Sequence, residues 1–180
     1  SRPVRPPTST MTSPGAGASR RTQARGYTLS PSNENSPASI AQRPDILDFG
    51  LVKSAPRAFA MAGVGPKDID VAEIYVPFSW FEPMWLENLG FAAEGEGWKL
   101  TESGATSLDG GDIPWNCSGG VLSSNPIGAS GMLRFLEAAL QVRGLAGDHQ
   151  VEGARKALGH AYGGGAQFFA MWVVGADRPE

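Results

Sequence analysis

The chain has 180 residues, enough for one domain, with 41% apolar residues and a formal net charge of −3. That balance excludes the basic footprint of a nucleic-acid binder, and no stretch approaches the roughly 18 apolar residues of a membrane-spanning helix. One cysteine, Cys117, rules out an internal disulfide. With no apolar signal core at the start, a cytoplasmic location is expected.

Residues 1–43 are rich in Pro, Ser, Thr and Gly, and Arg2, Arg5, Arg20, Arg21 and Arg25 all precede the first acid, Glu34. Such a segment buries too little apolar surface to offset its ordering entropy, so it is expected to be a disordered tail. Residues 44–180 form the expected domain. Phe49, Val52, Phe59 and Ala62 follow helical spacing up to Gly63, with Pro56 starting or kinking that helix. GVGPKDID reads as a turn, and VAEIYVPF alternates as a strand. SWFEPMWLENLGF places Phe81, Trp85 and Leu89 on one helical face, with Pro83 in its first turn and Gly90 at its end. Residues 92–112 read as a surface loop with a short hairpin. Ser130 to Arg143 carries the strongest helical pattern, with Met132, Phe135, Leu136, Ala139 and Leu140 as its stripe and Gly144 as its stop. LAGDHQVEGA is a turn region. ARKALGHAY is a strand, and AQFFAMWVVG is a second one, apolar on both faces and so expected at the sheet centre. The order points to an α/β fold with a mixed sheet packed by helices.

Two glycine-rich loops stand out. PWNCSGGVLSSNPIGASG feeds a helix N-terminus, where N–H groups are unpaired, and GHAYGGG precedes the last strand. Together they predict a shared pocket built largely from backbone. No His, Cys, Asp and Glu grouping has metal-ligand spacing, so no metal is expected.

The strings AGVGPKDIDVAEIYVPFSWFEPMWLENLGF, NCSGGVLSSNPIGASG, QVRGLAGDHQVEGAR and GHAYGGGAQFF, in this order, resemble the C-terminal half of thiolase-superfamily proteins. The lipid-transfer-protein and acetyl-CoA acetyltransferase branch is the most similar. The resemblance implies half of a fold in which two α/β halves stack their sheets around central helices. It also implies carbon–carbon chemistry next to a CoA thioester, with coenzyme A entering as part of the substrate and no separate cofactor. The nucleophilic cysteine of that family comes from the first half. An acyl-CoA substrate and an N-terminal half or partner subunit are therefore the implied partners.

Carried over residue by residue, the strand-end position falls on Tyr75. Asn125 stands in the loop where a Gly-His-Pro histidine is usual. The base position before the second glycine cluster falls on Ala161, flanked by His160 and Tyr162, and Gly163 is where a backbone N–H would face an oxyanion. Gly128 and Gly164 extend the two glycine walls. An Asn donates to an oxyanion but is no base near neutral pH; otherwise Asn125 makes a local turn bond. His160 is either a proton carrier or a strand histidine held by backbone. By alternation it shares a face with Tyr162. Tyr75 and Tyr162 are either acid–base groups, as in thiolase-like steroid side-chain aldolases that resemble this pattern, or core tyrosines with hydroxyls at a polar rim. Cys117 reads as a small buried thiol, Glu73 as an orienting group or a surface ion-pair partner, and Trp80, Phe81 and Trp85 as core or acyl-wall aromatics. The expected activity is aldolase-type or related acyl-CoA chemistry on a lipid- or steroid-derived ester. The alternative is a non-catalytic half serving as a subunit or acyl-CoA-binding module.

Overall fold

The computed structural model describes residues 50–177. The expected disordered tail over 1–43 lies outside them, as does Phe49. Helix α1 (Gly50–Ala62) contains Pro56 and ends at Gly63. It buries Leu51, Ala55, Ala58 and Phe59, the spacing of one helical face. Val52, expected on that face, is exposed. The real stripe is rotated because two alanines, weak as apolar markers, carry its middle.

A 3-10 turn (Pro66–Asp68) leads into strand β1 (Val71–Ile74), which is buried throughout. Helix α2 (Phe81–Asn88) buries Phe81, Trp85 and Leu86, and Leu89 just beyond it, with Pro83 in its first turn. A short helix α3 (Gly97–Glu102) occupies the region expected to be a loop with a hairpin. Six residues are too few to show a helical period. Helix α4 (Gly120–Ser123) follows the first glycine pair, and α5 (Ser130–Val142) is the helix expected there. Strands β2 (Lys156–Gly163) and β3 (Phe168–Gly175) close the domain.

The sheet is mixed, in the order β1-β2-β3. β1 runs parallel to β2, with Ile74 opposite His160, and β2 runs antiparallel to β3, with Gly163 opposite Phe168. Among the described residues β3 is thus an edge strand, not the expected centre. Its two apolar faces reflect helices above and below rather than strands on both sides. Ala72, Ile74, Leu158, Met171, Val173 and Phe169 pack into one core with α1 and α2. Val71, Ala157 and Val174 pack into another with Ala138 and Val142 of α5. The sheet is therefore a layer between helices, as the sequence pattern predicts.

α5 turns only part of the expected stripe to the sheet, with Phe135 and Ala139 packed against the core there. Its buried residues are Ser130, Arg134, Ala138, Gln141 and Val142, whereas Met132 (62% exposed) and Leu136 (47%) face away. The reason is a buried ion pair. Arg134 Nη1 donates to Glu73 Oε2 at 2.7 Å, with the side chains 4% and 0% exposed. The same carboxylate accepts Ser118 Oγ at 2.7 Å and Ser118 N–H at 3.0 Å. Glu73 is thus neither a surface group nor a cavity group. Burial pushes its carboxyl up from the usual range, opposed by the two Ser118 bonds and the Arg134 charge. No helix of the described residues is long and apolar enough to cross a membrane.

Candidate active site

The C-terminal ends of β1 and β2 and the start of α5 meet at one place. Beyond β1, Tyr75 N–H still donates to His160 C=O at 3.2 Å, so the ladder carries Tyr75 to the sheet's edge. Its own carbonyl accepts Trp85 Nε1 at 2.9 Å, which ties it to α2. The loop before α5 brings Asn125 and Gly128 alongside. β2 delivers Ala161, Tyr162 and Gly163, and the turn after it delivers Gly164. Gly164 has φ +61, and a Cβ there would sit 2.8 Å from Gln167 Oε1 and from Phe168 Cδ2, so only glycine makes this turn cleanly. Gly131 has a different reason. A Cβ on it would lie 2.8 Å from Ala161 Cβ, so its absence lets α5 press against β2.

Tyr75, Asn125, Gly128, Gly131, Ala161, Tyr162, Gly163 and Gly164 line a single cavity of about 530 Å³, with Pro77, Phe78, Ile127 and Gly165. The two glycine loops therefore share a pocket, as their composition predicts. Tyr75 Oη donates to Asn125 Oδ1 at 3.2 Å, and Ser130 Oγ donates to the same oxygen at 2.7 Å. The Tyr75 and Tyr162 rings meet edge to face, with centroids 5.1 Å apart. Burial, and then the neighbouring Tyr75, raise the Tyr162 pKa above the usual phenol range. Tyr162 thus stays protonated near neutral pH and is a donor, not a base.

His160 is the candidate that the structure does not bring to the cavity. Strand alternation places it with Tyr162 on the α1–α2 face, but one residue pair deeper. It is 0% exposed, its ring stacks on Phe169 and meets Trp85 edge-on, and neither ring nitrogen has a hydrogen-bond partner among the described residues. Burial pushes its pKa down to about 3, so it is a neutral core histidine. Burial, reinforced by the Glu73 charge, pushes the Cys117 thiol up to about 12, which makes it inert. Of the aromatic stripe, Phe81 and Trp85 are core, and Trp80 is exposed and stacks on Phe81 at 3.9 Å. Phe78, not singled out by spacing, is the aromatic that lines the cavity. Gly131 belongs to the glycine-rich loop that the sequence marks, whereas Ser130, read only as the start of a helix, is the added residue beside Asn125. Among the described residues, no group of three or more His, Cys, Asp or Glu side chains could hold a metal ion.

Residues 32–176 match the family model described as thiolase C-terminal domain-like. The acetyl-CoA acetyltransferase of Methanothermobacter thermautotrophicus is 41% identical over 128 residues, covering 70% of this chain and 33% of that protein. Sterol carrier protein 2 of Gallus gallus is 40% identical over 125 residues, 68% of this chain and 23% of that protein. Among solved structures, the Ltp2-ChsH2(DUF35) aldolase superposes with a TM-score of 0.63 at 26% identity, over 75% of this chain and 34% of its own. The chain spans a third or less of the length of these relatives. An α/β half-fold with a mixed sheet, two glycine walls around one cavity, and a match over most of its length place the chain in the thiolase C-terminal domain-like family.

Proposed function

We propose that this domain supplies half of an active site that makes or breaks the carbon–carbon bond next to a CoA thioester, in the aldolase manner. The observation that carries the reading is the Tyr75–Asn125 hydrogen bond facing Tyr162 across one glycine-walled cavity. For a β-hydroxyacyl-CoA, the β-hydroxyl proton passes to water as the Cα–Cβ bond breaks, a C=O forms at Cβ and the Cα–Cβ electron pair passes to the thioester. The resulting enolate then takes a proton at Cα, releasing a carbonyl product and a shortened acyl-CoA. The two tyrosine hydroxyls stand where protons are exchanged, and protonated Tyr162 serves as the acid. Solvent later returns a proton to the acid that has protonated Cα. The Asn125 carboxamide and the amides of Gly128, Gly163 and Gly164 hold the negative charge. Asn125 where a histidine is usual argues against ordinary thiolysis, since a carboxamide takes no proton near neutral pH. Exposed Phe78 and Ile127 beside the cavity suit an apolar acyl group of lipid or steroid origin. Coenzyme A enters with the substrate, and the setting is cytoplasmic.

The site needs a first thiolase half or a partner subunit. The Met132–Leu136 face of α5 is the surface for that half to cover, consistent with a chain one-third the length of its relatives. The name of the aldolase neighbour joins two components in one enzyme. The test is to combine this chain with a thiolase first half and assay a β-hydroxyacyl-CoA for retro-aldol cleavage. Tyr75→Phe and Tyr162→Phe should each lower kcat by about 10²-fold or more while acyl-CoA binding persists. Unchanged rates in both variants overturn the tyrosine mechanism. Binding without turnover in the parent assembly favours the second reading, an acyl-CoA-binding subunit.

A further inference from the structure

Ser130 is wholly buried at the first position of α5, and its hydroxyl reaches Asn125 Oδ1 at 2.7 Å. Tyr75 Oη reaches the same oxygen at 3.2 Å. A carboxamide can turn over and exchange its oxygen and nitrogen, and both orientations can pair with a hydroxyl. Here the two are not equivalent. With nitrogen facing Ser130, the Ser130 proton would need another acceptor. The first turn of a helix offers N–H donors rather than free carbonyls, and the only acceptor found for Ser130 Oγ among the described residues is Asn125 Oδ1. A buried hydroxyl stripped of its acceptor costs about 1–3 kcal/mol, enough to bias the orientation by about fivefold to 150-fold. The close approach of α5 to β2 at Gly131, where a Cβ would lie 2.8 Å from Ala161, holds Ser130 at that position.

We propose that Ser130 is a positioning residue: its buried hydroxyl fixes the Asn125 carboxamide with Oδ1 toward α5 and Nδ2 away from the two hydroxyls, as a standing donor for the cavity. The orientation is a property of this chain alone. Its consequence for turnover rests on the proposed thioester reading.

The experiment is side-chain amide NMR on the full 15N-labelled chain, with the Asn125 NH2 pair assigned by its loss in Asn125→Asp. The parent should show two well-separated proton shifts. Ser130→Ala should collapse that separation toward the value of a free carboxamide while backbone amides away from the loop keep their shifts. Ser130→Thr, which keeps a hydroxyl, should restore it. An unchanged Asn125 pair in folded Ser130→Ala overturns the proposal. In the assembled enzyme, Ser130→Ala should lower kcat about tenfold with KM unchanged. A parent assembly without turnover but with the collapsed pair in Ser130→Ala supports the positioning role and removes the proposed function instead.

Discussion

Glu73 and Tyr75 sit on the same side of one strand, two residues apart, and do opposite work. Glu73 is sealed: its carboxylate takes three hydrogen bonds, from Ser118 N–H, Ser118 Oγ and Arg134 Nη1. Tyr75 opens onto the cavity and makes one hydroxyl bond, to Asn125. The sealed group ties strand, loop and helix together, and the open one leaves its hydroxyl at the cavity wall. The contrast teaches that burial and partner count, more than residue type, separate a sealed polar group from a cavity-facing one in this domain.

The contrast breaks first at Glu73. Glu73→Gln leaves Arg134 cationic, 3% exposed and without an anion. It should cost about 3–5 kcal/mol of stability, read as a fall in the urea midpoint. A loss under about 1 kcal/mol would make the two ends of the strand alike. Next comes His160, a second sealed group. Its folded pKa lies far below its ordinary value, so the native state binds fewer protons than the unfolded chain. Stability is then full above about pH 6.5 and declines as pH falls from there toward about 3, by up to about 1.4 kcal/mol per pH unit. Urea titrations at pH 7, 5.5 and 4.5 should show that decline in the parent and a flatter profile in His160→Leu; parallel profiles would refute it.

Gly159→Ala tests the sheet beneath the cavity. The added methyl would lie 2.2 Å from Trp172 Nε1, so the indole must shift, at about 1–3 kcal/mol by thermal denaturation. The smallest effect belongs to the open end. Tyr75→Phe removes one long, exposed hydrogen bond and should change stability by less than about 1 kcal/mol. A larger loss would show that Tyr75 is structural and would blur the distinction from Glu73.

Much of this arrangement is legible in the sequence for identifiable reasons. Phe81, Trp85 and Leu89 define α2 because large aromatics at helical spacing leave few alternatives. The two glycine clusters predict a common pocket because side-chain-poor loops at strand and helix ends let segments converge. Alternation in β2 correctly pairs His160 with Tyr162 on one face. It says nothing of depth, and one residue pair along the strand separates a core imidazole from a cavity phenol. Phe135 and Ala139 mark part of the inward face of α5, but Arg134 on it was hidden, because periodicity counts apolar residues and cannot see that Arg134 will be neutralised by Glu73. For α1, Val52 outweighed Ala55 and Ala58 as a marker, although the alanines are the buried ones. The edge position of β3 was out of reach because helices and strands can cover a strand equally well. Ser130 was out of reach because its role depends on a partner that only the folded loop supplies.

Asn116 carries one last consequence. It adopts φ +53, its N–H donates to Ala72 C=O at 2.8 Å, and its Oδ1 accepts Ile74 N–H at 2.7 Å, while Ala72 N–H is spent on Pro114 C=O at 3.0 Å. A side chain here impersonates the next rung of a ladder and closes the outer flank of β1. An incoming strand would find no vacant donor at Ala72 or Ile74, so lateral growth of the sheet is steered to the opposite margin, along β3.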